Sequence, residues 1–349
     1  MKIVLVTMKY SYGSKARGLD YISVDGFCKT FKKLGHIVSP FYFDDYLQNI
    51  DALQEKLIRH AESNKPDLIF FILYTDQFSP ETLLLLKKKY QTVGWFGDDT
   101  WRFDDYSKKY ASFFTFCVTT DKLSIEKYKA IGQKNIILSQ WAAIDSHPIP
   151  SASTYKYDVA FIGGYSESRN WFVEELRKRG IEVVAFGHGW KNGPLSESKM
   201  NKLFREAKIN LNLSNSMSFD YRYLKFKLSS MRLLSIVKRI IKSKGSLGNF
   251  LRSLTDEKKF GQMKARHFEI PYFGGFQMSY YYFQVAEYFE IGKEIVCFSD
   301  IDEAAALIHY YLANPKERER IKERGHRRAR KEHGYVHRLK SILRQIHAL

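Results

Sequence analysis

Short runs of β-branched and aromatic residues alternate along this chain with longer stretches whose apolar positions recur at helical spacing. "KIVLVTM" (2–8) predicts a strand, "YSYGSKARGL" a glycine-bearing loop, and "DYISVDGFCKTFKKLG" (20–35) a helix that Asp20 would cap. The strand "HIVSPFYF" (36–43) follows, then a long helix to about Asn64 and "DLIFFILY" (67–74), whose unbroken apolar run suits a parallel strand buried on both faces. A helix opened by "SPET", the strand "TVGWF" (92–96), a short helix through "WRFDDYSKKYA", the strand "FFTFCVTT" (113–120), the helix "SIEKYKAIG" and the strand "NIILSQW" complete the first series. Alternation of this kind builds a doubly wound parallel sheet.

"AAIDSHPIPSASTYKY" (142–157) interrupts the pattern with Pro148, Pro150 and small polar residues, and reads as a linker. The pattern then restarts with "DVAFIGGYSESRNWFVEELRKRG", followed by the strand "IEVVAFG", a helix around "SESKMNKLFREA", the strand "INLNLS" (209–214) and, later, "EIVCFS" (294–299) ahead of a helical tail. The expected architecture is therefore α/β, with two Rossmann-like domains across a cleft. The expected bounds are 1–147 for an acceptor-side domain, 148–332 for a nucleotide-binding domain with a basic insertion at about 217–260, and 333–349 for a last helix returning to the first domain. Ligands of open sheets sit at the carboxyl ends of the strands.

Charge changes this picture more than composition does. The formal net charge is +18, which implies an anionic partner, and much of the excess falls between 222 and 266 and again from 316 to 344. No zinc-finger, homeodomain or aromatic-basic RNA-binding pattern accompanies it, so sequence-specific nucleic-acid reading is not expected. Cys28, Cys117 and Cys297 lie far apart without metal-ligand spacing, so neither a disulfide nor a metal site is expected. The opening "MKIVLVTMKY" is too brief an apolar run for a signal segment, and no run approaches the roughly 18 apolar residues of a membrane span. A cytoplasmic protein is expected. Between 222 and 260, however, Leu233, Leu234, Ile236, Val237, Ile240 and Ile241 recur at helical spacing among Arg232, Lys238, Arg239 and Lys242. That pattern fits either a helix lying on the inner face of an anionic membrane or a packed helix with a solvated basic face.

Candidate chemistry gathers in four places. "GGYSESR" (163–169) puts Gly163 and Gly164 before a helix N-terminus, a geometry suited to a diphosphate, with Arg169 placed for a bidentate contact; an ordinary turn and a surface arginine fit the same residues. "KARHFEIPYFGG" (264–275) places Lys264 and Arg266 where they would neutralise phosphates and Glu269 where it would accept hydrogen bonds from a ribose diol. Gly274 and Gly275 would let the next loop approach a ligand closely, although a charged helix face with a glycine cap reads the same way. "GDD" (97–99) ends a buried strand. Asp98 or Asp99 would serve as a base, one raising the pKa of the other, while Asp99 as a helix cap is the plainer alternative. His188, between glycines in "FGHGW" (186–190), is a further candidate contact.

The stretch "KARHFEIPYFGG", followed by "YFEIGKEIVCFSDIDEAAALIHYYLANPKERERIKERGHRRARKEHGYVHRL", resembles the C-terminal half of CgeB-type spore-maturation proteins, a branch of the GT-B glycosyltransferases. "FIGGYSESR" and "FGHGW" resemble nucleotide-side loops of that family, and "WFGDDTW" (95–101) its first-domain acidic loop. The resemblance implies a GT-B fold and transfer of a sugar from a UDP- or GDP-linked donor to a glycan, lipid-linked or protein acceptor. The donor would be a substrate, with no permanently bound cofactor. It implies a ribose contact for Glu269 and pyrophosphate contacts for Arg266 and Arg169. Where many retaining members carry a second glutamate, eight residues earlier, this chain has Gly261, which leaves the donor-sugar contact and the stereochemical outcome open. A sugar-nucleotide epimerase of the same fold and a non-catalytic polyanion- or membrane-binding module are the competing readings.

Overall fold

The computed structural model describes residues 1–145, 147–148, 154–213, 221–230 and 261–348. The chain forms two compact units, Met1–Pro148 with Arg330–Leu349, and Ile149–Ala329.

The first unit is a six-stranded parallel sheet of order β2-β1-β3-β4-β5-β6. Its strands are β1 (Lys2–Thr7), β2 (Ile37–Tyr42), β3 (Leu68–Ile72), β4 (Gln91–Phe96), β5 (Phe116–Thr119) and β6 (Ile136–Leu138). Alternate side chains feed two cores. Val4, Val6, Ile69 and Phe71 pack with Leu53, Leu57 and Ala61 of α2 (Ile50–Asn64), whereas Ile3, Leu5, Leu68 and Phe70 pack with Phe27 and Phe31. The expected 20–35 helix is divided: a π-helical stretch, Ile22–Cys28, runs into α1 (Lys29–Lys33). Helix α2 starts on the Asn49 side chain, which accepts from the Ala52 N–H, and α3 (Pro80–Lys89) starts on Ser79, with proline at its first position. After β4 the chain makes α4 (Asp99–Arg102), a π-helical turn at Phe103–Ser107 and α5 (Lys108–Tyr110); α6 (Ser124–Ala130) follows β5.

The second unit is a parallel sheet of order β11-β10-β9-β7-β8. It contains β7 (Tyr157–Ile162), α7 (Glu167–Lys178), β8 (Val183–Phe186), α8 (Glu197–Glu206), β9 (Ala207–Asn212), α9 (Tyr221–Ser230), α10 (Arg266–Tyr272), β10 (Gln277–Tyr280), α11 (Val285–Tyr288), β11 (Val296–Phe298) and α12 (Ile301–Ala313). One face of the sheet, with Val159, Phe161, Ile209, Leu211 and Met278, packs on Trp171 and Phe172 of α7 and on Ile301, Ala304 and Ile308 of α12. Strand β10 was not anticipated, because its central position is filled by "QMSY", polar on alternate residues and without the apolar run of its neighbours.

Helix α13 (Pro315–Glu332) leads to α14 (Tyr335–Ala348), whose Tyr335, Leu339, Ile342, Leu343 and Ile346 belong to the first unit's core beside Phe27, Phe31 and Trp95. The join is fixed by hydrogen bonds: the Ala143 N–H donates to the His333 carbonyl, the Tyr335 N–H to the Ala143 carbonyl, and the Val336 N–H to the Asp145 carboxylate. The basic amphipathic stretch expected at 232–242 lies outside the described residues; residues 222–230 fall in α9, where Tyr223 is buried against Trp171. Among the described residues no helix is long and apolar enough to cross a membrane.

Candidate functional site

In the second unit β7 lies between β8 and β9, so the connections leaving β7 and β9 diverge and open a crevice at their carboxyl ends. Gly163 and Gly164 follow β7 there. The Gly163 N–H donates to the Phe186 carbonyl, and the indole N–H of Trp190 donates to the Gly163 carbonyl at 2.9 Å. Gly187, at φ 137°, passes so close that a Cβ on it would overlap that carbonyl oxygen, and a Cβ on Gly189 would sit 2.7 Å from the Tyr165 Cβ. The turn after β7 and the "GHGW" turn after β8 are thus laced together. His188, on the outer edge of the second turn, is exposed, and its carbonyl accepts from the Tyr165 N–H.

Helix α7 begins at the crevice on Ser166, whose hydroxyl accepts from the Arg169 N–H. The Arg169 guanidinium spans the crevice: Nε and Nη2 donate to the Leu213 carbonyl at the end of β9, and Nη1 donates to the Gly164 carbonyl at 2.7 Å. In this state the arginine is a staple between two strand ends, with its donors turned on its own backbone.

Helix α10 carries the second group. Glu269 is 2% exposed, and its carboxylate accepts from Nη1 of Arg266, one turn earlier. Arg266 also lies over the Phe204 ring at 5.8 Å. Lys264, half-buried, precedes the helix and donates its N–H to Nδ1 of His267. His267 is wholly buried, its pKa is pushed down to about 4 by burial, and its Nε2 has no hydrogen-bond partner. Gly274 and Gly275 serve packing within the protein. A Cβ on Gly274, at φ 82°, would come 2.9 Å from the Arg205 guanidinium, and one on Gly275 would come 2.9 Å from both the Asn210 amide and the Phe204 carbonyl. The two glycines therefore seat α10 on its own unit.

Helix α10 packs on β9 and β10. The sheet face opposite the apolar core carries Asn210, Asn212, Gln277 and Ser279, all buried, with Gln277 beside Asn210 and Ser279 beside Asn212 in register. The Asn212 amide N and both amide atoms of Gln277 lack partners. A polar row inside a parallel sheet costs stability unless something bonds to it. The polar alternation of "INLNLS" is the sequence signal for this row.

In the first unit Asp98 and Asp99 part company. Asp98 is the half-buried residue before α4, and its carbonyl accepts from Trp101 and Arg102. Asp99 is fully buried; its Oδ2 accepts from the Tyr128 hydroxyl at 2.9 Å, and Oδ1 meets no donor. Burial pushes its pKa up to about 7 against the nearby hydroxyls of Ser107, Thr119 and Tyr128, and the negative charge of Asp121 adds to this. The cause of the shift is desolvation rather than the neighbouring Asp98. Asp99 neither caps α4 nor reaches solvent, whereas Asp98 is half-buried.

Comparison with known proteins adds two findings. Over its full length the chain superposes on sucrose-phosphate synthase from Thermosynechococcus elongatus (TM-score 0.62, 8% identity, 99% of that chain covered) and on HepE of Anabaena in complex with UDP-glucose (TM-score 0.60, 11% identity, 100% covered). It superposes likewise on AviGT4, a glycosyltransferase involved in avilamycin A biosynthesis (TM-score 0.56, 12% identity, 98% covered). The fold is that of the GT-B glycosyltransferases. Residues 230–344, which include α10, match the model of a family described as Glycosyl transferase-like. No curated protein sequence matches the chain.

Proposed function

We propose that this GT-B protein is a glycosyltransferase that takes a sugar from a UDP- or GDP-linked donor and passes it to an acceptor hydroxyl, of the CgeB type and in envelope or surface glycan synthesis. One observation carries the reading: within a GT-B fold, the Glycosyl transferase-like match spans the helix that holds Arg266 and Glu269. The donor would lie on the second unit, its diphosphate toward the N-terminus of α7 and Lys264, and its ribose diol on Glu269. Gly163, Gly164 and His188 would line that end. Donor binding would then draw Arg266 from Glu269 toward the phosphates, or leave the pair intact and use only the outer carboxylate oxygen. The partnerless amides of Asn212 and Gln277 supply further donors and acceptors beneath α10. Asp98 would deprotonate the acceptor hydroxyl. Exposed Phe226, beside exposed Lys225 in α9, supports docking of this region on an anionic membrane.

Thermal shift with a panel of sugar nucleotides identifies the donor, because a ligand bound only by the folded state raises the melting temperature. Affinity for UDP or GDP should fall in Glu269→Ala and Arg266→Ala; unchanged affinity in both variants rejects the site. Nucleotide release that depends on added acceptor separates a transferase from an epimerase.

A further inference from the structure

We propose that the loop following β1 in the first unit binds an acidic saccharide, a sugar bearing a carboxylate, sulfate or phosphate, as the acceptor of the transfer proposed above; the acceptor role rests on that reading, and the binding does not. Strand β1 lies between β2 and β3, so this loop sits at the point where the connections of the first sheet diverge, the usual place for a ligand in an open α/β sheet. It is a built loop. Its ends are closed by the Asp20 N–H donating to the Lys9 carbonyl at 2.8 Å and the Ser11 N–H donating to the Gly18 carbonyl at 3.0 Å. The Asp44 carboxylate accepts from the backbone N–H groups of both Lys9 and Tyr10. Tyr12 is held at φ 54°, a left-handed conformation that a bulky residue adopts only where its surroundings impose it, and such residues gather at ligand sites.

The loop displays aromatic rings and cations together. Tyr12 is 61% exposed and meets Tyr74 edge-on at 6.2 Å, and the Arg17 guanidinium lies 4.8 Å from the Tyr12 ring centre. Lys9 lies over both Tyr10 (5.4 Å) and Tyr42 (5.8 Å), and Lys15 over Tyr10 at 5.9 Å. None of Lys9, Lys15 and Arg17 has a carboxylate partner among the described residues. Two acids beside the loop are otherwise engaged: Asp44 by the loop backbone, and Asp20 by the Ser23 N–H, with burial raising its pKa. Tyrosine faces take the apolar face of a pyranose, and the three cations take its anionic group. A neutral sugar would use the rings and leave the charges idle.

The test is calorimetry on the full-length protein with tetragalacturonate and a heparin-derived tetrasaccharide, against carboxyl-reduced tetragalacturonate as the neutral counterpart. The acidic form should bind about tenfold more tightly than the neutral one, the scale of one or two charge-assisted contacts. Lys15→Gln with Arg17→Gln should erase that difference. Tyr12→Gly should weaken both forms while its melting temperature holds or rises, since glycine relieves the backbone; a loss of binding by misfolding would lower it. Affinity for UDP or GDP, whichever the wild type binds, should stay unchanged in these variants. The inference is overturned if neither acidic saccharide binds, if acidic and neutral forms bind alike, or if the variants lose nucleotide affinity instead, which would assign the loop to the donor. Failure of the donor reading shows separately, as absence of both UDP and GDP binding by the wild-type protein.

Discussion

Replacing Asp99 by asparagine should stabilise this protein above neutral pH, although the residue is buried and hydrogen-bonded. The unfolded chain titrates this carboxyl near 3.8, and the folded chain holds it at about 7. Because the folded pKa is raised, the neutral acid is the favoured native form. Its contribution is intact below the unfolded pKa and is lost as pH rises toward 7. A difference of roughly three units corresponds to about 4 kcal/mol lost between pH 4 and pH 8. Asparagine keeps an oxygen for the Tyr128 hydroxyl and has no charge to desolvate. The variant minus wild-type stability should therefore move by about 4 kcal/mol in the variant's favour across that range, on the order of 10 °C in melting temperature. Urea unfolding at pH 4, 6 and 8, fitted with a common m-value, measures it, and taking the difference removes every other titrating group. If the asparagine variant is equally destabilised at all three pH values, Asp99 is ionised in the native state and the desolvation argument is wrong. Because Asp99 does not reach solvent, the variant should also retain nucleotide binding.

The other expectations rest on separate features. His267, with its pKa lowered to about 4 by burial, contributes stability that is present above the unfolded value of 6.5 and lost as pH falls through about 4; relative to His267→Phe, the wild type should lose about 3 kcal/mol between pH 7 and pH 3.5, read from urea midpoints. Gly187→Ala forces a Cβ into the Gly163 carbonyl at φ 137°, so it should destabilise the second unit by at least about 3 kcal/mol and raise exchange of the Gly163 and Tyr165 amides. Leu339→Ala empties a fully buried site between α14 and the first sheet and should cost about 3 kcal/mol by denaturant titration, with amide exchange raised in α1 and β1.

Strand and helix alternation was enough to specify the α/β class, because a segment such as "DLIFFILY" is stable only when covered on both faces, and only parallel strands with crossover helices provide that cover. The spacing in "KARHFE" likewise put Arg266 and Glu269 one turn apart on a helix. Sequence could not say which partner each would choose. Tertiary packing buried Glu269 against Arg266, turned Arg169 onto the ends of β7 and β9, and separated Asp98 from Asp99 by rotating one carboxylate into the core beside Tyr128. Strand β10 shows the same limit: Gln277 and Ser279 are buried because β9, far away in the chain, pairs beside them, which no local pattern in "QMSY" announces. Local pattern fixes which residues share a face. Which polar groups meet across that face depends on residues distant in sequence, and that was left to the fold.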